Sequence, residues 1–194
     1  MASTLSHYLL WRVGLASAET QTSPAERAAL ARHASGRKSC VEIGVWHGVN
    51  TRRIRAVMAP DGTVTAVDPF PPGRLGFSIP RAIAVREIGR CARGRAVLLR
   101  TTSADAAKGW SAPVDFLFVD GDHSYEALRT DWEAWSPHIA PGGIVCLHDS
   151  HPTESRPIES AGSVRFTSEV VLRDPRFDVV EVVETITVLV RRAI

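Results

Sequence analysis

The stretch VEIGVWHGVNTRRI, residues 41–54, passes from strand to helix across two glycines. CVEIGV (40–45) is an apolar run suited to a buried strand, whereas NTRRIRAVMA (50–59) reads as a helix. Between them Gly44 and Gly48 let the backbone turn tightly and approach a ligand, and a helix starting near Asn50 and Thr51 points amide donors into the crevice. Strand, glycine turn and helix in that order begin a βαβ unit. The second glycine follows the first by four residues, so the spacing departs from the dinucleotide G-x-G-x-x-G, and the lysine of a Walker loop is missing. Dinucleotide redox chemistry and phosphoryl transfer are therefore disfavoured.

The same rhythm repeats outward from this turn. TVTAVD (63–68), AVLLRT (96–101), VDFLFVD (114–120) and GIVCLHD (143–149) are continuous apolar runs, as strands covered on both faces should be. Helix-like SIPRAIAVREIGRCAR (78–93), SADAAKGW (103–110) and SYEALRTDWEAWSPHI (124–139) separate them, and Leu128, Trp132 and Trp135 are spaced as one core-facing stripe. After the helix-like VRFTSEVVLRD (164–174), FDVVEVV (177–183) and TITVLVRR (185–192) lie close enough to form an antiparallel hairpin. The pattern predicts an α/β fold: a Rossmann-like, doubly wound, seven-stranded sheet, mostly parallel with a C-terminal antiparallel hairpin and helices on both faces. Ser23, Pro24 and Glu26 predict a capping box on a further helix. Residues 1–35 are thus expected to be a helical extension of one domain spanning 1–194.

Composition narrows the function classes. The 194 residues carry a formal charge of +2, and the arginines at 52, 53, 55, 90, 93 and 95 are interspersed with acids, which argues against nucleic acid as a partner. The three cysteines (Cys40, Cys91, Cys146) show no CxxC spacing, so neither a zinc site nor a disulfide framework is indicated. No apolar run approaches the roughly 20 residues that span a bilayer. The expectation is a soluble, cytoplasmic protein with no membrane partner.

Two kinds of strand tip carry the chemistry. VTAVD ends at Asp68, about 20 residues beyond the glycine turn, where an acid accepts hydrogen bonds from ribose hydroxyls, although an aspartate before Pro69 also opens turns. FLFVDGDHSY (116–125) runs a buried strand into Asp120, Gly121, Asp122 and His123. In an open α/β sheet such tips face the ligand crevice. Asp122 or Ser124 suits the cap of the following helix.

These motifs resemble the class I S-adenosylmethionine (SAM)-dependent methyltransferases over roughly residues 36–150, with the terminal hairpin agreeing. VEIGVWHGVNT looks like the family's first motif, VTAVD like its second, and SAD (103–105) like its adenine-contacting segment. The resemblance implies SAM as cofactor. Glu42, Gly44, Val45, His47, Gly48, Asn50 and Thr51 then belong to the turn at the methionine part, although His47 could simply fill space there. Asp68 and Pro69 fall at the ribose, Ser103 and Ala104 at the adenine, and Asp120 and Gly121 at the neighbouring strand tip.

FLFVDGDHSY together with PGGIVCLHD is similar to the divalent-metal-dependent O-methyltransferases of the catechol type and the antibiotic and macrolide sugar type. The likeness implies a metal, Mg²⁺ or Mn²⁺, at Asp120, His148 and Asp149, and a general base at His123. The family has an acid where His148 stands. Imidazole suits manganese, iron or zinc better than magnesium, and His148 can equally orient Asp149 from behind. His123, a residue type with an ordinary pKa of about 6.5, suits proton abstraction near neutrality, or is a surface residue at a helix start. The reading is a SAM-dependent methyltransferase performing metal-assisted O-methylation of a small phenolic, sugar or other natural-product acceptor. The alternatives are a metal-independent N- or C-methyltransferase and a noncatalytic SAM-binding module. With so short a chain the acceptor site is either open or closed by a second subunit, so a homo-oligomer is possible; His151 and its neighbours HPTESRP (151–157) either line the acceptor mouth or form an exposed loop.

Overall fold

A computed structural model describes residues 4–73 and 76–193. Seven strands form one sheet: β1 (Ser39–Ile43), β2 (Thr63–Val67), β3 (Arg95–Leu99), β4 (Val114–Val119), β5 (Ile139–Leu147), β6 (Phe177–Val183) and β7 (Ile186–Arg191). Their order is β3-β2-β1-β4-β5-β7-β6. Pairing is parallel from β3 through β5, and β7 joins β5 antiparallel while hairpinned to β6. The order reverses direction at β1, which has β2 on one side and β4 on the other, and this is where such sheets open a crevice.

Among the described residues seven α-helices accompany the sheet: α1 (Thr4–Arg12), α2 (Pro24–Ala34), α3 (Val49–Val57), α4 (Ile79–Gly89), α5 (Ser103–Lys108), α6 (Tyr125–Trp135) and α7 (Gly162–Glu169). Alternate strand residues feed opposite faces, as the period of two requires. Val41, Leu117, Val119, Val145 and Leu147 pack with Leu128, Trp132, Trp135 and Phe166 of α6 and α7. Cys40, Phe116, Phe118 and Cys146 pack on the other side with Leu30 of α2, Ile54 of α3 and Met58 just past the end of α3. Cys40 and Cys146 are thus buried free thiols, and burial pushes the Cys40 thiol up to about 12. Each fully buried side chain of this size contributes about 1.5–3 kcal/mol.

Several element ends differ from the sequence reading, two of them for a definite backbone reason. Strand β5 begins at Ile139 and not at Gly143, because Gly142 (φ +74°) and Gly143 form an irregularity within the strand where the register against β4 shifts. Helix α6 stops at Trp135, and residues 136–138 continue as a 3₁₀ turn around Pro137, whose ring cannot occupy a helix interior. The capping box forms as expected: Ser23 Oγ accepts from Glu26 N and Glu26 Oε2 accepts from Ser23 N. Among the described residues no helix is long and apolar enough to cross a membrane.

What this frame does for the site is to align the strand tips. The ladder continues one residue past each strand: Gly44 N donates to Val67 O (3.0 Å), Asp68 N to Leu99 O (3.1 Å), Asp120 N to Ile43 O (2.8 Å) and His148 N to Val119 O (3.0 Å). Asp68, Gly44, Asp120 and His148 therefore stand in a row along one edge, held by backbone bonds.

Candidate active site

The glycine turn is shaped as much by its protein neighbours as by any ligand. Gly44 has φ +83°, and a Cβ there would lie 2.1 Å from Asp120 O, so the β1 turn passes directly against the β4 tip. Gly48, at φ +73°, faces Ala84 and Ile88 of α4, so its missing side chain admits a helix. Asp68 binds the turn from the other side. Its Oδ2 accepts from Val45 N (3.0 Å) and Trp46 N (3.1 Å), and its Oδ1 accepts from Phe70 N (2.7 Å). With about four acceptor positions on a carboxylate, one of Oδ1 stays open.

Two cavities lie against this row of tips and share Gly44, Trp46, Asp120 and Gly121 as a common wall. The larger, about 550 Å³, is lined also by Asp68, Pro69, Ser103, Ala104, Asp122 and Asp131. The smaller, about 210 Å³, is lined also by Glu19, Thr20, Gln21, Val45, Asn50 and His123. Of the residues singled out from the sequence, Gly44, Val45, Asn50, Asp68, Pro69, Ser103, Ala104, Asp120, Gly121 and His123 meet at these walls.

Four others stand behind the wall. Glu42 is buried and receives a hydrogen bond from Thr51 Oγ1, itself fully buried; burial raises the Glu42 carboxyl well above its ordinary value, with the charges of Asp120 and Asp68 adding to the effect. His47 turns away, accepting from Glu19 N at Nδ1 (3.0 Å) and stacking on His7 and Trp46. Burial lowers its pKa to about 4, which keeps that nitrogen free to accept. Gly48 is the fourth. His47, with Asn50 Oδ1 accepting from Thr22 Oγ1 (3.0 Å), pins the segment 19–22 across the turn, so Glu19, Thr20 and Gln21 become cavity wall.

Behind the smaller cavity three carboxylates converge on His148, whose side chain is fully buried. Asp120 Oδ1 lies 2.7 Å from Nδ1, Glu26 Oε2 3.6 Å from Nε2, and Asp149 Oδ1 3.8 Å from Nε2. Neither ring nitrogen is in hydrogen-bond geometry with a partner, and Asp149 Oδ1 is also buried without one. Burial acts to lower the imidazole pKa, but Asp120 and Glu26 outweigh it and push it up to about 10. Glu26, which also accepts from Thr185 N and Thr185 Oγ1, is held down at about 2: burial acts to raise it, and His148 and Thr185 outweigh that. So much negative charge in one buried place calls for a cation, which the His148 imidazolium supplies as long as no metal displaces its proton.

Asp149, at φ +49°, turns its Oδ2 to Arg156 (2.6 Å) and His123 Nε2 (3.4 Å). At these tips the ligand atoms within 4.8 Å of one another belong to Asp120, His123 and His148, so His123, and not Asp149, groups with the other two; His7, Glu19 and His47 form a second such cluster at the N-terminal segment. Arg156 comes from the loop that contains HPTESRP, which thus does reach the site. Asp122 accepts from Ser124 N and Ser124 Oγ accepts from Ala127 N, so both cap α6.

Residues 41–150, more than half of the chain, match the family described as a methyltransferase domain. The chain belongs to the methyltransferase-domain family. Among solved structures, an O-methyltransferase from Bacillus cereus in complex with SAH (S-adenosylhomocysteine) is similar to this methyltransferase domain with a TM-score of 0.67 at 18% identity, over 98% of this chain and 92% of that one. The O-methyltransferase TomG from Streptomyces achromogenes, in complex with SAM, gives 0.64 at 15% identity over 100% and 91%. The N-methyltransferase NodS from Bradyrhizobium japonicum gives 0.57 at 13% identity over 86% and 92%. At these identities the likeness establishes the fold, which O- and N-methyltransferases share. A curated relative, the uncharacterised protein y4gI of Sinorhizobium fredii, is 38% identical over 58 residues, 29% of this chain; the chain spans only 6% of that protein's length.

Asp131 of α6 has no counterpart in the sequence reading. It sits beside Trp132 and Trp135 on the helix, is 7% exposed and lines the larger cavity. Burial, with the charge of Asp122 adding and a hydrogen bond from Ser103 opposing, raises its pKa from 3.8 to about 6. The folded state therefore binds the proton more tightly than the unfolded chain, and stability contributed by this group falls as pH rises from about 4 through about 6. Asp131→Asn is expected to be more stable than wild type by about 1–3 kcal/mol at pH 7.5, with the gain gone at pH 4. Urea unfolding at the two pH values measures it.

Proposed function

We propose that this methyltransferase domain transfers the methyl group of SAM to a hydroxyl of a small-molecule acceptor, with His123 as general base and a divalent cation at the Asp120 and His148 tips. The supporting observation is the placement of His123 on the wall of a cavity bounded by the glycine turn and the β4 tip, with Asp149 behind it. SAM when bound supplies an electrophilic methyl group. A divalent cation would lower the pKa of an acceptor hydroxyl. The residues fit such an ion: His148 has two buried nitrogens without hydrogen-bond partners, among carboxylates. An Asp120 oxygen with one imidazole, that of His148, suits Mn²⁺, Fe²⁺ or Zn²⁺ more than Mg²⁺ and leaves His123 free as base.

In this reading Gly44, Val45 and Asn50 bound the methionine end of the cofactor, Asp68 its ribose, and Ser103 and Ala104 its base. His123 takes the acceptor's proton. The imidazolium that forms is stabilised by Asp149 Oδ2, 3.4 Å from Nε2. Arg156 donates to that carboxylate and holds it in place. The chain is proposed to act as one catalytic unit, with residues 19–21 and the Arg156 loop as the acceptor's surroundings.

A metal-independent transfer is favoured by one observation: Arg156 already balances Asp149, which weakens that residue as a ligand. The two readings separate in one experiment. Turnover on a panel of catechols and sugars is expected to fall at least about 10-fold after chelator treatment and to return with Mn²⁺, and Asp120→Asn is expected to abolish the return. Turnover unchanged by chelation supports the metal-independent reaction.

A further inference from the structure

We propose that His7, Glu19 and His47 form a Zn²⁺ site, separate from the strand tips, that ties the N-terminal segment to the glycine turn. The three residues come from α1, from the segment leading to α2, and from the turn after β1, so an ion there joins stretches that are distant along the chain. One ligand atom from each lies within 4.8 Å of the others, and the cluster shares no residue with Asp120, His123 and His148. His7 Nδ1 is 3.4 Å from Glu19 Oε1, close to the edge of a tetrahedron, roughly 3.3 Å, built on zinc bonds of about 2.0 Å. Cysteine spacing carries no sign of this site, because its donors are imidazoles and a carboxylate.

The state of the two imidazoles suits the role. His7 Nε2 is buried without a hydrogen-bond partner, a cost that native structures seldom leave unexplained, and the ring stands beside a carboxylate. Burial lowers the His47 pKa to about 4, so at neutral pH no proton competes for its lone pair. That lone pair, on Nδ1, accepts from Glu19 N (3.0 Å) in the metal-free protein. An ion at this nitrogen exchanges the amide bond for one through the Glu19 carboxylate, and on so exposed a residue the freed amide takes a water. Two imidazoles and a carboxylate are a donor set for zinc and leave a fourth position for water. Glu19 is also wall of the smaller cavity, so the ion fixes one side of it.

The test is calorimetric titration of the chelator-treated, tag-free chain with ZnCl₂, on wild type, His7→Gln, Glu19→Gln and Asp120→Asn. His7→Gln is expected to bind one Zn²⁺ fewer than wild type, whether or not the strand tips hold an ion of their own. Glu19→Gln changes only an exposed side chain, so it spares the fold, and is expected to weaken the same binding event at least about 10-fold. Asp120→Asn is expected to keep that event. Zinc is also expected to raise the melting temperature of Asp120→Asn, since an ion that binds the folded chain stabilises it. Wild type that binds no zinc overturns the inference, and so does zinc binding left unchanged by both His7→Gln and Glu19→Gln. Loss of all zinc in Asp120→Asn with none lost in His7→Gln assigns the ion to the strand tips and overturns it as well.

Discussion

His123→Ala is expected to lower kcat by about 10²–10⁴-fold while leaving SAH affinity within about threefold of wild type. The side chain stands at the cavity wall with Asp149 Oδ2 3.4 Å from its Nε2, so its removal takes away the proton acceptor and little of the fold. His123→Asn keeps polarity and approximate volume without a basic nitrogen, and is expected to be as slow as the alanine variant. Steady-state kinetics with SAM saturating, alongside titration of SAH, makes the measurement. A kcat within about threefold of wild type would remove His123 from the reaction.

Gly44→Ala carries the second large effect, and it falls on stability. The residue pays the left-handed penalty of about 1–2 kcal/mol at φ +83°, and its new Cβ would lie 2.1 Å from Asp120 O. Backbone must move at either β1 or β4, so the expected loss is about 4 kcal/mol or more, with SAH binding lost as the two tips separate. Gly142→Ala is the control. It has φ +74° with nothing within 4 Å of the added atom, so it should cost only about 1–2 kcal/mol and spare binding. Denaturant midpoints of the two variants, measured with SAH titrations, check both statements.

The strands were legible because each is a continuous apolar run bounded by polar or glycine residues, and the tips followed from where those runs stop. Asp68 and Asp120 could be placed on the crevice by that logic alone. Interactions between segments distant in sequence could not. Glu26 reads as half of a capping box, yet the same carboxylate accepts from Thr185, 159 residues away, and faces His148. His47 reads as part of the turn toward a ligand, but burial and the Glu19 amide turn it to the N-terminal segment. Asp131 lies in a helix beside two core tryptophans, where a polar residue between apolar ones usually marks the solvent face. Its burial comes from the α5 start packing over it through Ser103 and Trp135, a contact with no local signal. Arg156 sits in a loop whose composition says only that it is exposed, and its partner Asp149 is found by the fold of that loop.

The most direct test of the central claim is calorimetric titration of the wild-type chain with SAH, in competition with SAM and with NAD. One site that binds SAH and SAM competitively, and does not bind NAD, is the predicted result. Binding of NAD with no heat from SAH or SAM would contradict the account.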